Sequence, residues 1–358
     1  MFRIGFVLSV SALALGLSSG DLHVSLKAVS SSVHSVDDII LTAVVSNPTT
    51  ADIRVIAKNN VLDGSATSSF AVSKNDSPVL FTGLRTTLDL SEDGIYTTIP
   101  AGSSIAVNHT SLGPLYDFET FGTGTYNFAP VTVFQTGPDH APLHVETDAV
   151  AIEVTDDVAK RELFPLVRRV STPTCSDSGR LQVLKDSLTY ARSLAGGAAT
   201  DILSHPNGPE YTSYFGGNTQ SDIWFNMDRI AGDLTSESGD RKIYCNTDPA
   251  GLCGGTGGVI AYTSVVTSGG SIVGSDIYTC DYFFTSTGTT PGICTGGYDA
   301  TQSSRGGVLL HELSHATAGT ADIAYGCTAC ASLSAGNKKN NADNYRCMGL
   351  AIYKDYVC

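Results

Sequence analysis

The first 174 residues contain no cysteine, although the 358-residue chain carries nine. All nine lie between Cys175 and Cys358, which points to a disulfide-supported second half in an oxidising compartment. An odd count leaves at least one thiol free or paired outside the chain. Basic residues are also scarce, with 21 Lys and Arg against 35 Asp and Glu and a formal charge of −14. That balance argues against a phosphate-binding surface and excludes nucleic acid as the expected partner. It favours cationic partners instead, basic polypeptides among them. Charged residues make up only 16% of the chain and hydrophobic residues 42%, so disorder is excluded as well. Beyond the N-terminus no stretch is long and apolar enough to cross a bilayer. Finally, no histidine or glutamate occurs after His315, an absence that decides a later step.

What is present begins with "MFRIGFVLSVSALALGLSSG". A basic residue at Arg3, a short apolar run and small residues at Ser18 and Gly20 have the form of a secretory signal peptide. The expected leader is 1–20, cut after Gly20, giving an extracellular protein without membrane attachment. The length suggests about two domains. Residues 21–150 alternate apolar and polar positions in short runs such as "HVSLKAVSSSV", "DIILTAVVSN", "ADIRVIAKNN" and "GTYNFAPVTVFQ", separated by turn clusters. Many short strands at this spacing suggest a β-sandwich. Asn108 begins the glycosylation acceptor Asn108-His109-Thr110.

A polar linker then carries two dibasic pairs, Lys160-Arg161 and Arg168-Arg169. Cleavage is expected after Arg169, by a maturation protease that reads paired basic residues. That divides the chain into a propeptide, 21–169, and a mature unit, 170–358. The mature unit holds 17 acidic and 11 basic residues and so stays acidic. Its "RLQVLKDSLTYARSLAGGAATDIL" places Leu181, Leu184, Leu188 and Ala191 along one helical face. The segments "RKIYCN", "GGVIAYTS" and "SDIYTCDYFF" look like strands, and "NADNYRCMGLAIYKDYV" reads as a last helix capped near Asn341. The expected fold class is therefore α+β, a β-sandwich-like propeptide followed by a mainly helical unit with a small β-sheet.

The chemistry concentrates in "VLLHELSHA". Residues four apart share a helix face, so His311 and His315 can reach one ion while Glu312 projects beside them. Two imidazoles beside a carboxylate suit a zinc ion that acidifies a water and a base that takes the proton. A catalytic zinc takes three protein ligands, and the missing histidines and glutamates after His315 leave Asp322, Asp343, Asp355 and the cysteines as candidates. Asp322 lies seven residues past His315 and follows Gly319-Thr320, where a glycine can end the helix and turn the chain back.

"HELSH" followed by "GTADIAYG" resembles the signature of the deuterolysin-type fungal metallopeptidases, the aspzincins. The dibasic junction, "TPTC" near the start of the mature unit, the terminal cysteine and "NADNY" are similar to that family's layout too. The resemblance implies a zincin catalytic domain with one zinc per chain on His311, His315 and Asp322. It makes Glu312 the base and Tyr325 the residue that steadies the transition state. It also implies the disulfides Cys175–Cys245, Cys253–Cys280 and Cys294–Cys358. Cys327, Cys330 and Cys347 are additions to the pattern; one of the first two is expected to bridge to Cys347, leaving the other free.

In Lys-specific members an acidic pair receives the substrate lysine. Asp343 matches the first acid, while Arg346 stands where the second would be. Asp343 is thus a weak substrate-binding candidate, with a helix-cap or supporting role as the alternative. The expected activity is that of a secreted monomeric endopeptidase acting on proteins, basic ones such as histones and protamines in particular. Two alternatives are an inactive zinc-bound binding module and a Lys-specific endopeptidase. His109, His140 and His144 of the first half are expected at the surface.

Overall fold

The computed structural model describes residues 17–136, 140–159, 171–234, 241–254, 258–299 and 304–358. Most of the leader and both dibasic pairs, including Arg168 and Arg169, lie outside the described residues.

The quoted alternating runs of the first half do become strands, and they assemble into three sheets. His23–Ala28, Leu41–Ser46 and Ser104–His109 form an antiparallel trio. A second sheet runs in the order Ser32–Ser35, Val150–Asp157, Gly124–Pro130, Phe70–Lys74, Ser77–Val79. The third runs Ala141–His144, Val133–Thr136, Ile53–Ile56, Tyr96–Ile99. Alternation fits these strands because one face of each meets a shared core: Leu41, Ala43 and Val45 are buried while their neighbours are partly exposed. The core holds Phe70, Phe118, Tyr126, Phe128 and Phe134, with edge-to-face ring contacts among them. His109 belongs to it. Contrary to its expected surface position, it is buried against Phe70 and hydrogen-bonded to the Val61 carbonyl. His144 is exposed, and His140 sits half-buried against the Tyr96 hydroxyl. Asn108 is exposed on the outer strand of the trio.

The second half is built on the long helix Ser178–Ser204. Asp177 caps it by accepting from the Arg180 amide at 2.9 Å. Its buried stripe of Leu184, Leu188, Ala191, Leu194 and Ala195 packs against helices Gln220–Ala231, Arg305–Ala318 and Ala342–Val357. The segment "SDIYTCDYFF" departs from the expectation of a single strand. The strand Ser271–Thr279 stops at Cys280, and Asp281–Thr285 forms a short helix. Cys280 is fixed there by its bridge to Cys253, and Asp281 stands in the helix's first turn, where a negative charge is favourable.

One sheet does not respect the division at residue 169. Its order is Ser171–Thr174, Arg241–Tyr244, Ser271–Thr279, Val259–Ser268 and finally Gly83–Leu88 from the first half. The last pairing is antiparallel, matching Leu84 with Ser264, Arg85 with Thr263 and Thr86 with Tyr262. A joint core lies beneath it. Leu84, Leu88, Leu90 and Ile95 pack with Val259, Tyr262, Tyr278 and Tyr325. The molecule is thus mixed α and β, with the two halves joined through a common sheet.

The cysteines pair as Cys175–Cys245, Cys253–Cys280, Cys294–Cys358 and Cys327–Cys347. Cys330 alone is free; it is buried, and burial pushes its thiol well above the ordinary range. A thiolate reagent needs exposure and ionisation, and this site offers neither. Ellman's reagent is therefore expected to find no thiol in the native protein and one in guanidinium; a rapidly reacting native thiol would contradict this packing. Among the described residues no helix is long and apolar enough to cross a membrane.

Candidate active site

The helix Arg305–Ala318 starts at Ser304, whose hydroxyl accepts from the Gly307 amide at 3.2 Å. Every residue from Gly306 to Ala316 is buried, so the motif lies on a helix enclosed on all sides. Gly319 ends it in the left-handed region at φ +70°, a conformation that suits glycine and redirects the chain. The returning segment is tied to the start of the last helix. The Ala321 amide donates to the Asn340 carbonyl at 2.6 Å, and Asn341 Oδ1 accepts from the Ile323 and Ala324 amides at 2.8 and 3.1 Å. Asn341 precedes the last helix as expected, but its side chain makes no hydrogen bond to that helix's first amides; it holds the loop that carries Asp322.

That loop brings Asp322 to the histidines. Its Oδ1 lies 2.9 Å from His311 Nε2 and 3.2 Å from His315 Nε2, and the two Nε2 atoms are 3.0 Å apart. The opposite ring nitrogens are committed elsewhere: His311 Nδ1 meets Asp343 Oδ1 at 2.7 Å, and His315 Nδ1 meets the Thr320 carbonyl at 2.9 Å. Donation from Nδ1 leaves each Nε2 as a bare lone pair facing Asp322. Asp322 Oδ1 in turn is buried and accepts no hydrogen bond of acceptable geometry, despite its closeness to both rings. Three acceptor atoms converging on one point is an arrangement that a cation satisfies.

Glu312 is fully buried beside the histidines. Thr87 donates its hydroxyl to Oε1 at 2.6 Å and Thr263 donates to Oε2 at 2.5 Å. Burial raises this carboxyl to about 7, against the lowering pull of His311 and of the two hydroxyls. Tyr325 stacks on His311 with ring centroids 6.1 Å apart. Its hydroxyl donates to the Thr86 carbonyl at 2.7 Å and accepts from Asn59 Nδ2 at 2.5 Å. Gln135 clamps its backbone, with both bonds at 2.7 Å.

Asp343 is fully buried, and both of its oxygens are occupied. Oδ1 accepts from His311 and from Arg346 Nε at 2.8 Å; Oδ2 accepts from the Gly326 amide at 2.8 Å and Arg346 Nη2 at 3.0 Å. Its expected part in substrate binding is corrected by this geometry, which turns the carboxylate toward His311 and away from any open surface. Arg346 is thereby explained as well, as the charge that neutralises a buried acid. Asp355 lies near the exposed end of the last helix, away from the histidines' loop. Cys330, Asp343 and Cys347 also come together, but the Cys347 sulfur is already bonded to Cys327. Sequence reasoning named His311, Glu312, His315, Asp322 and Tyr325, which the structure brings together. It missed Thr86, Thr87, Asn59 and Gln135, ordinary polar residues that no local pattern marks, and Thr263.

Residues 203–348 match the family model described as lysine-specific metallo-endopeptidase, the aspzincins. A neutral protease 2 homolog of Aspergillus fumigatus is 27% identical, over 97% of this chain and 77% of its own. A peptidyl-Lys metalloendopeptidase of Armillaria mellea is also 27% identical, over 95% of this chain and 94% of its own. Among solved structures, a zinc peptidase from Grifola frondosa aligns with 49% of this chain and 96% of its own, at 23% identity and a TM-score of 0.34. With three side chains able to hold a metal beside a buried glutamate, the chain is similar to the deuterolysin-type aspzincins and is a metalloendopeptidase.

Proposed function

We propose that this chain is a secreted zinc endopeptidase, made as a precursor, with His311, His315 and Asp322 as ligands of one zinc and Glu312 as the base. The convergence of His311 Nε2, His315 Nε2 and Asp322 Oδ1 carries the reading, because these atoms lack any other partner of good geometry. Two imidazoles and one carboxylate suit zinc; calcium and magnesium take oxygen ligands alone. Bound there, zinc supplies a Lewis acid that acidifies a water and polarises the scissile carbonyl.

The protein's own groups do the rest. Asp343 and the Thr320 carbonyl fix the two rings through Nδ1. Glu312 takes a proton at a carboxylate oxygen and returns it to the leaving amine, helped by an affinity raised toward neutrality by burial. The Tyr325 hydroxyl donates to the oxygen that gains charge in the transition state.

Basic proteins are the proposed preferred substrates, supported by the excess of 17 acidic over 11 basic residues in 170–358. A Lys-specific activity is the second reading; it is favoured by the name of the Armillaria relative. The engagement of Asp343 by Arg346 speaks against a lysine pocket at that acid. Four disulfides support an oxidising, extracellular setting. Residues 21–169 are proposed as a propeptide, separated by cleavage at Arg169 and absent from the final monomeric enzyme.

The test is digestion of a histone mixture by the chain freed of residues 21–169, beside Glu312→Gln. The variant is expected to lose roughly 1,000-fold in rate, within the range for a removed general base, while retaining one zinc per chain. Unchanged cleavage by Glu312→Gln would remove the base from the mechanism. A zinc-loaded wild type that cleaves nothing would leave the inactive binding module as the better reading.

A further inference from the structure

We propose that Gly83–Leu88 is a blocking strand, seated where an extended substrate chain would lie, and that cutting the linker near Arg169 does not dislodge it. The proposal rests on the metallopeptidase reading above and adds how the first half silences the site. Without Gly83–Leu88, Val259–Ser268 would be the outer strand of its sheet. An unpaired strand edge is a ready template for an extended peptide. Here that edge is filled in antiparallel register from Val265 back to Val259.

The same six residues reach each kind of group the chemistry needs. The Thr86 amide donates to Asp322 Oδ2 at 2.9 Å, the Thr86 carbonyl accepts from the Tyr325 hydroxyl at 2.7 Å, and the Thr87 hydroxyl occupies Glu312 Oε1 at 2.6 Å. With Thr263 on Oε2, both Glu312 oxygens are taken. The strand thus competes with a water for Oε1 of the base, and it holds the Tyr325 hydroxyl that an oxyanion would need.

Contacts on either side keep it in place. The hydroxyls of Thr82 and Thr267 lie 2.6 Å apart, the Asp89 amide donates to the Gly258 carbonyl at 2.6 Å, and Gln135 holds Tyr325 from the first half. None of these passes through the linker, so a cut there leaves the strand bound. The seat is also imperfect. Arg85 is only 7% exposed and lies over the Phe81 ring, and among the described residues its Nε and Nη1 have no hydrogen-bond partner. A buried, half-satisfied guanidinium costs stability, which makes the strand displaceable.

The experiment compares the zinc-loaded full chain before and after treatment with a protease specific for paired basic residues. Three readouts are hydrolysis of histones, binding of a peptidyl hydroxamate, and amide hydrogen exchange over 83–88 and 259–265. Uncut and cut chains are both expected to bind the hydroxamate about 100-fold more weakly than chains whose residues 21–169 have been degraded, the shift for a site open one time in a hundred. Amides of both strands should stay protected after the cut.

Thr86→Pro removes an amide and a strand position and should restore hydroxamate binding in the uncut chain. Thr87→Val, which keeps the shape, should raise uncut hydrolysis about tenfold, the equivalent of one hydrogen bond to a charged group. Hydroxamate binding by uncut wild type as tight as by the freed chain, or rapid exchange over 83–88, would overturn the proposal. If no form hydrolyses protein but hydroxamate binding still depends on the strand, the blocking strand stands and the peptidase reading fails.

Discussion

Asp343→Ala is expected to destabilise the protein by about 3–5 kcal/mol, the usual cost of removing one partner from a buried charge pair. Asp343 and Arg346 are both fully buried, and losing the carboxylate removes two of the guanidinium's hydrogen bonds while its contacts to the Tyr298 and Asp299 carbonyls remain. The guanidinium would then be a buried charge that has lost the carboxylate bonded to it. Urea denaturation of the metal-free protein measures the loss, and a change below about 1 kcal/mol would mean that the pair is not what holds the last helix to the motif. Replacing both residues, Asp343→Ala with Arg346→Met, should recover much of it, because the uncompensated charge disappears. The same single change frees His311 Nδ1. Zinc affinity should fall by about 10–100-fold, as for loss of a partner that orients a ligand. The double variant should not recover this second effect, which separates the stabilising role of Asp343 from its positioning role.

Asp322→Ala is expected to remove stoichiometric zinc and, with it, all measurable proteolysis. The loss in affinity should exceed the 10–100-fold typical of an orienting partner, since a direct ligand is removed. Thermal unfolding reports this without reference to activity. Zinc at a thousand times its dissociation constant should stabilise wild type by about 4 kcal/mol, and Asp322→Ala should show almost none of that response. A variant that still gains stability from zinc would show that the ion is held by other groups. In the metal-free state Asp322→Ala also loses the bond from the Thr86 amide to Oδ2, so each protein's own metal-free form is the baseline for its zinc response.

Much of the motif was legible because its logic is local. His311 and His315 lie on one helix face whatever surrounds them, since four residues make about one turn. Gly319 with Asp322 seven residues after His315 reads as a helix end and a return for the same reason, the left-handed conformation at Gly319 being set within one peptide unit. The alternation "LTAVVS" likewise announced a strand with one buried face. Where an expectation failed, a distant partner was responsible. "DYFF" is apolar enough for a strand, but the Cys253–Cys280 bridge ends the pairing before it. Asp343 fits an acid-pair pattern along the chain, yet the buried face of the last helix turns it to His311 and Arg346.

The sequence by itself therefore determined the helix that carries His311, Glu312 and His315 and the turn that follows it, together with the strand-rich and helix-rich halves. Tertiary structure alone decided that Asp343 meets His311, that His109 is a core residue, and that "GLRTTL" closes the sheet over Glu312. All six residues of that strand are buried although half are polar, because their partners come from the other half of the chain. The Thr86 amide and Asp322 are separated by 236 residues. Periodicity records how a segment meets its immediate neighbours; it carries no information about which edge, so far along the chain, a strand will pair with.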